Sequence, residues 1–172
     1  MDSKINKIFI DWKHIEFLSD ILTSKIIEIG VTYDSIVSIG RGGMIPARLI
    51  SERLNIKKIH ILNMRSYTDI NVSGDVILEP SFNPRILDHE TVLIVDDVCT
   101  TGKSLVDAKL HILRNVDDII LSTATLYWNC ECKDAQPDFF IEGYTASKTW
   151  LVFPWEFDSD RKTKQKKVSK NG

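Results

Sequence analysis

Two adjacent carboxylates followed by small hydroxyl residues form the strongest chemical signal in this sequence. Asp96 and Asp97, the acid pair, come directly after the apolar run 92–95, and residues 100–104 (Thr-Thr-Gly-Lys-Ser) then lead into a predicted helix. Such a turn presents free backbone N–H groups at the positive end of a helix dipole, which is a site for an anion. Paired carboxylates beside a phosphate site indicate a ligand that needs both Mg²⁺ and contacts to hydroxyl groups. A sugar phosphate fits that description.

Three other interpretations explain this segment less well. Residues 102–104 end like a P-loop, but the first glycine of that motif would fall at Asp97, where a carboxylate would repel the phosphate. A receiver domain carries its acids after the first strand, whereas this pair follows three other predicted strands. A capped helix after a core strand explains one aspartate and the hydroxyl groups, but it does not explain two acids and the small turn.

Strand and helix patterns alternate through the chain, as in a mostly parallel sheet with helices on both faces. Ligands of such sheets bind beyond the carboxyl ends of the strands, so we expect the chemistry in the turns that follow the strands. Helices are predicted over 11–29, 45–55 and 103–115, and strands over 7–10, 35–39, 59–64, 92–95, 119–127, 139–141 and 151–153, with an extended piece near 76–78 in the long polar loop 65–89.

Length and composition predict one domain with a substantial core. The chain has 172 residues, of which 43% are hydrophobic and 27% charged, and this composition excludes disorder for most of it. No apolar stretch approaches the roughly 18 residues of a membrane-spanning helix. The apolar group 8–10 is too short for a signal peptide, so we expect a cytosolic protein. Three cysteines without a secretory signal argue against a disulfide framework.

The last twelve residues, 161–172, differ from the rest of the chain in charge. They hold six lysine or arginine residues and no acid, whereas residues 1–160 hold 16 basic and all 24 acidic residues. We therefore expect residues 1–160 to form the domain and residues 161–172 to be a solvated, disordered tail. A weak electrostatic contact of the tail with nucleic acid or another anion is the alternative.

Residues 92–104 resemble the phosphoribosyl pyrophosphate signature of the type I phosphoribosyltransferases: four apolar residues, two acids and a threonine–glycine turn. Residues 38–46 resemble the pyrophosphate-binding loop of the xanthine–guanine and hypoxanthine enzymes of bacteria and archaea. Arg65-Ser66-Tyr67 resembles the lid that closes over pyrophosphate, and residues 149–156 resemble the T-W-x-x-x-P-W-[DE] ending of the xanthine–guanine subgroup. The resemblance implies an α/β fold, with a central, mostly parallel sheet flanked by helices and a small hood from the terminal segments.

The resemblance implies Mg²⁺-dependent transfer of a phosphoribosyl group from phosphoribosyl pyrophosphate to a nucleobase, most closely a 6-oxopurine (hypoxanthine, guanine or xanthine), in purine salvage. It also implies small-molecule substrates and a homo-oligomer, with no membrane and no specific nucleic acid as partner. The residues that it implies are Asp96 and Asp97 for the ribose hydroxyls, with Asp97 also for Mg²⁺; Thr100, Thr101, Gly102, Lys103 and Ser104 for the 5′-phosphate; Arg41, Gly42, Gly43, Ser66 and Tyr67 for pyrophosphate; and Trp150, Leu151 and Asn129 for the base.

Two positions depart from the pattern of the 6-oxopurine enzymes. Those enzymes usually carry a general-base aspartate where this chain has Thr100, whose hydroxyl is not a base near neutral pH. They also carry a lysine for the 6-oxo group where this chain has Asn129, although Lys133 is near enough for a shifted loop to supply the charge. Three hypotheses stay open: a 6-oxopurine enzyme with weaker base catalysis, an enzyme for a different base (the Thr-Thr-Gly turn resembles that of orotate-type enzymes), and a regulator that binds phosphoribosyl pyrophosphate or a nucleotide without turnover.

Overall fold

A computed structural model describes residues 5–66, 76–79 and 82–157 of the chain. Its helices and strands alternate as the sequence predicts. They are β1 (Asn6–Phe9), α1 (Trp12–Glu28), β2 (Ser35–Ile39), α2 (Met44–Leu54), β3 (Lys58–Ser66), β4 (Val76–Glu79), β5 (Thr91–Cys99), α3 (Lys103–Leu113), β6 (Ile120–Asn129), β7 (Phe139–Tyr144) and β8 (Thr149–Val152). Two short 3₁₀ turns, Pro84–Leu87 and Lys133–Ala135, precede β5 and β7.

Six strands form one sheet in the order β4-β3-β2-β5-β6-β7. The five strands from β3 to β7 in this order run parallel, while β4 pairs antiparallel with β3 at the edge. The predicted mostly parallel sheet is therefore confirmed. The order of the strands reverses between β2 and β5, since the chain builds outward from β2 to one side and from β5 to the other. Open α/β sheets bind their ligands at this kind of reversal.

The core lies on both faces of the sheet. In β5, Leu93 and Val95 pack into the cluster that includes α1 and α2, while Val92 and Ile94 pack into the cluster under α3. All four side chains are fully buried, and an apolar run without alternation is what a strand covered on both faces requires. No helix within the described ranges combines the length and the apolar character needed to cross a membrane.

Strands β1 and β8 form a separate two-stranded parallel sheet, which we call the hood. Its register pairs Lys7 with Trp150 and Phe9 with Val152. The Asp11 carboxylate then caps α1 by accepting a hydrogen bond from the backbone N–H of His14 at 2.8 Å. The expected hood from the terminal segments is confirmed.

Four strands, β3, β5, β6 and β7, run at least two residues further at their carboxyl ends than the sequence pattern predicts. Strand β5 continues past the acid pair to Cys99, because β6 still pairs with it after β2 has parted from it at Val95. Strands β6 and β7 extend to Asn129 and Tyr144. The acid pair is thus held inside a strand that is paired on one side and open on the other.

Candidate functional site

The acid pair lies where the sheet opens between β2 and β5. Asp97 is 9% exposed, and the loop after β2 passes directly over its carboxylate. A Cβ atom on Gly42 would lie 2.5 Å from Oδ2 of Asp97, and a Cβ atom on Gly43 would lie 2.4 Å from the carbonyl oxygen of Val95. Glycine is the residue that lets a backbone approach this closely. The structure thus brings the predicted pyrophosphate loop and the acid pair together.

A cavity of about 670 Å³ opens beside this contact. The side chains that line it include one guanidinium group, two carboxylates and several apolar groups. Its lining includes Arg41, Gly42, Met64, Asp97, Trp155 and Glu156. The exposed Arg41 side chain is of the type that binds phosphate oxygens in a bidentate manner. The cavity therefore has the size and the chemistry for a diphosphate group beside a carboxylate edge.

A smaller cavity of about 120 Å³ lies at the N-terminus of α3. Its lining includes Asp96 and four of the five residues of the phosphate loop, as we call residues 100–104. Gly102 caps the helix with a φ of +74°, and a Cβ atom there would lie 1.9 Å from Cβ of Ala135. The first turn of a helix offers N–H groups without helical partners, which suit a single phosphate group. Lys103 is exposed on this turn and is not part of the lining.

Burial raises the pKa of both members of the acid pair. For Asp97 burial is the main cause, the Glu156 charge adds to it, and the pKa rises to about 6. For Asp96 burial is again the main cause, followed by the charge of Asp97, and its pKa lies well above the usual range. No lysine, arginine or histidine in the described part of the chain forms an ion pair with either aspartate.

The acid pair fits a Mg²⁺ ion that is shared with substrate phosphates. Magnesium is commonly bound through one or two carboxylates together with phosphate oxygens. Among residues 5–66, 76–79 and 82–157, no group of three or more Asp, Glu, His or Cys side chains could hold a metal by itself. Asp97 lines the larger cavity beside Arg41, so its carboxylate is the one suited to such sharing.

Thr100, at the position predicted for the general base, is held from the ends of β6 and β7. Its hydroxyl oxygen lies 2.7 Å from the hydroxyl oxygen of Tyr144. Its carbonyl accepts a hydrogen bond from Nδ2 of Asn129 at 3.0 Å, and Asn129 and Tyr144 are partners in the β6–β7 register. The sequence pattern did not identify Tyr144, because β7 was predicted to end at residue 141 and the contact depends on how two strand ends align.

The side chain of Asn129 is held by contacts with three loops of the protein itself. It is buried, and its Oδ1 accepts hydrogen bonds from the backbone N–H groups of Glu131 at 3.2 Å and Ala146 at 3.1 Å. Its Nδ2 donates to Thr100 as described above. These contacts use most of the hydrogen-bonding capacity of the amide. Asn129 thus holds the phosphate loop at Thr100, and its contact with the base stays a prediction.

The other two predicted base contacts lie on the hood. Trp150 is 59% exposed, whereas the next two residues, Leu151 and Val152, are both buried. Leu151 lines a third cavity of about 380 Å³ between the hood and the ends of β6 and β7. Trp155 stacks on Phe153 with 4.9 Å between ring centroids and also lines the larger cavity. The backbone N–H of Phe153 donates to Glu156 at 3.0 Å.

Only part of the predicted lid, and no part of the predicted tail, lies within the residues that the structure describes. Ser66 ends β3, where the register pairs it with Val76 of β4. Tyr67 and the tail 161–172 lie outside the described residues.

Comparisons with known proteins show the family of this chain. The sequence model of the phosphoribosyl transferase domain matches residues 7–162. The xanthine-guanine phosphoribosyltransferase of Idiomarina loihiensis is 24% identical over 156 residues, which cover 87% of either chain. A purine phosphoribosyltransferase from Pyrococcus horikoshii, 24% identical, superposes with a TM-score of 0.75 over 90% of this chain and 97% of that one. A hypothetical protein from Neisseria gonorrhoeae with bound ppGpp is also 24% identical. It superposes with a TM-score of 0.74 over 96% of this chain and 98% of that one.

The domain match spans the three cavities, the acid pair and all of the hood except Asn6. The resemblance to the type I enzymes, close to the xanthine–guanine and hypoxanthine group, is thereby confirmed. The chain belongs to the phosphoribosyl transferase domain family of enzymes.

Proposed function

We propose that this chain transfers the 5-phosphoribosyl group from phosphoribosyl pyrophosphate to a 6-oxopurine, producing the nucleoside 5′-monophosphate and pyrophosphate for purine salvage. The observation that carries this proposal is the pair of anion sites beside one acid pair, at the reversal of the strand order. The names of the relatives, xanthine-guanine and purine phosphoribosyltransferase, support a purine as the acceptor.

The two cavities correspond to the two anionic groups of the donor. The phosphate loop would take the 5′-phosphate in the smaller cavity, and Arg41 with the Gly42 backbone would take pyrophosphate in the larger one. The ribose would then lie over Asp96 and Asp97, whose carboxylates accept hydrogen bonds from its hydroxyl groups. Holding both ends fixes C1 for attack, which removes much of the entropic part of the barrier.

The reaction breaks the bond between C1 and a pyrophosphate oxygen and forms a bond between C1 and a ring nitrogen of the base. The electron pair of the broken bond leaves with pyrophosphate, and the N–H proton of the base passes to solvent because Thr100 cannot hold it near neutral pH. Positive charge develops at C1, and the acid pair stabilises it. A Mg²⁺ ion held by Asp97 and pyrophosphate would neutralise charge on the leaving group.

On the acceptor side, the hood would bind the base. Trp150 would stack on the ring, and the carbonyl of Leu151 would accept a hydrogen bond from the edge of the ring. Residues 66 and 67 would close over pyrophosphate and exclude water that otherwise hydrolyses the sugar.

A nucleotide-binding regulator is the second candidate. The Neisseria gonorrhoeae protein that superposes on 96% of this chain was solved with bound ppGpp. The same two anion sites would bind phosphoribosyl pyrophosphate or a nucleotide without turnover, and the lack of a carboxylate at Thr100 is consistent with such a role.

The test is pyrophosphate release from phosphoribosyl pyrophosphate and Mg²⁺ in the presence of single bases: hypoxanthine, guanine, xanthine, adenine, uracil and orotate. We expect release and nucleotide formation with a 6-oxopurine, and loss on chelation of the metal. The double variant Asp96→Asn, Asp97→Asn should be slower by about 100-fold or more, because ribose contacts and the metal anchor are removed together. Asp107→Asn on α3 is the matched control and should behave as wild type.

Release with a different base alone would keep phosphoribosyl transfer and correct the acceptor. The proposed reaction would be contradicted if no base led to pyrophosphate release while the protein still bound phosphoribosyl pyrophosphate or a guanine nucleotide. That result would favour the regulator. Wild-type turnover in the double variant would remove the acid pair from the mechanism.

A further inference from the structure

Two neutral hydroxyl groups meet at the boundary between the phosphate side and the base side of the site. The hydroxyl oxygens of Thr100 and Tyr144 are 2.7 Å apart. Thr100 lines the 120 Å³ cavity of the phosphate loop, and Tyr144 lines the 380 Å³ cavity together with Leu151 of the hood. A hydrogen-bonded pair of side chains therefore spans the two cavities.

The surrounding backbone fixes both members of this hydroxyl pair. The carbonyl of Tyr144 accepts a hydrogen bond from the N–H of Cys130 at 2.9 Å, and β7 is paired with β6 up to this residue. The Asn129 amide holds the carbonyl of Thr100 at 3.0 Å. Thr100 is thus fixed through its backbone by one strand and through its side chain by the next. Fixing a contact before the ligand arrives lowers the entropic cost of binding.

A hydroxyl pair can make hydrogen bonds that a carboxylate cannot. Each hydroxyl has one proton and two lone pairs, and only one of the two protons lies in the bond between Thr100 and Tyr144. The other proton can be donated, and lone pairs remain to accept. Burial raises the pKa of Tyr144, so the pair stays neutral near neutral pH. It can meet a protonated or an unprotonated ring nitrogen without adding charge.

Building on the proposed function, we propose that Tyr144 is a positioning residue that orients the Thr100 hydroxyl towards a ring nitrogen of the acceptor base. Recognition at this point is then a neutral hydrogen bond that aligns the base and takes no proton from it. The residue that sets the alignment lies on β7, beyond the segments in which the sequence pattern places the site.

The experiment compares Tyr144→Phe, Thr100→Val, their double variant and Thr100→Ser, with KM for base and donor and kcat measured separately. Loss of one hydrogen bond should raise the KM for the base about 3- to 10-fold in Tyr144→Phe, while the KM for phosphoribosyl pyrophosphate changes less than about 2-fold. Thr100→Ser keeps the hydroxyl and should retain the wild-type KM for the base. Because Tyr144 acts through Thr100, the double variant should be no worse than Thr100→Val alone.

Tyr33→Phe is the matched control. Tyr33 is also buried, but it lies just before the amino end of β2 and lines none of the three cavities, so loss of its hydroxyl should leave both KM values unchanged. The dependence of kcat/KM for the base on pH should keep its shape in Tyr144→Phe, because neither hydroxyl titrates between about pH 6 and 8.

An unchanged KM for the base in Tyr144→Phe, an equal rise in both KM values, or additive effects in the double variant would overturn this inference while leaving the proposed function intact. A wild-type protein without turnover on any base would overturn the proposed function and this inference with it.

Discussion

Asp96 and Asp97 place two carboxylates at the open side of β5, and burial raises the pKa of both. A carboxylate that loses hydration without gaining a cationic partner destabilises the folded state. No ion pair to either residue exists in the part of the chain that the structure describes. The described part of the site therefore holds carboxylates that no basic side chain within it neutralises, and a metal–phosphate ligand would supply the missing positive charge.

Removing the Asp97 charge should stabilise the ligand-free protein while impairing its function. The pKa of Asp97 is about 6 in the folded state, above the unfolded value, so ionisation destabilises the fold as pH rises through this range. Asp97→Asn should therefore raise the free energy of unfolding at pH 8 by about 1–3 kcal/mol, a gain that vanishes towards pH 4. Denaturant unfolding at several pH values measures this, and a lower stability of the variant at pH 8 would contradict it.

At the scale of secondary-structure elements, the candidate site forms where the loop between β2 and α2 packs closely against strand β5. The backbone at Gly42 lies so near the Asp97 carboxylate that an added Cβ would be 2.5 Å from Oδ2. The segments proposed to bind pyrophosphate and ribose therefore form one packed contact, and a change in either segment should move the other.

Gly42→Ala should displace the Asp97 carboxylate without unfolding the protein, because Gly42 has no positive φ and lies at the rim of a cavity. We expect the KM for phosphoribosyl pyrophosphate to rise about 10-fold or more, since misplacing a positioned group by about 1 Å has such effects. The KM for the base should change much less. Initial rates over both substrates measure this, with the melting temperature as the check on folding. Equal donor KM values in variant and wild type would show that the loop gives way instead.

Local patterns predicted the elements and failed at the contacts between their ends. The apolar run 92–95 is a buried strand because it has to be covered on two faces, and Asp11 caps α1 as its type and place suggest. The contact between Tyr144 and Thr100 follows from the register of β6 against β7, which no short pattern encodes. The contacts of Asn129 were not predicted for the same reason, because its partners lie in three separate loops.

For the whole molecule, charge is divided unevenly along the chain. The tail 161–172 carries six positive charges, whereas residues 1–160 carry eight more acidic than basic residues. The donor substrate is strongly anionic, but the proposed contacts to it come from groups within the domain, such as Arg41 and the N-terminus of α3.

Deleting residues 161–172 should therefore leave kcat and both KM values within about 2-fold at 0.15 M salt, where charges further away than about 8 Å are screened. At low salt, the shortened chain should have a modestly higher donor KM than the full chain, because the positive charge of the tail is lost. Steady-state rates of the full and shortened chains at two salt concentrations measure this. A large loss at 0.15 M salt would show that the tail takes part in the site.

The hood joins strands that are almost the whole chain apart, since β1 ends at Phe9 and β8 begins at Thr149. During synthesis β1 leaves the ribosome long before β8 and cannot pair until β8 has followed it. The six-stranded sheet, with the acid pair and the phosphate loop, has already been translated by then. The order of translation thus makes the hood, which is the proposed base-binding side, the last part of the candidate site to form, and a nascent chain would complete the proposed donor sites before the acceptor site.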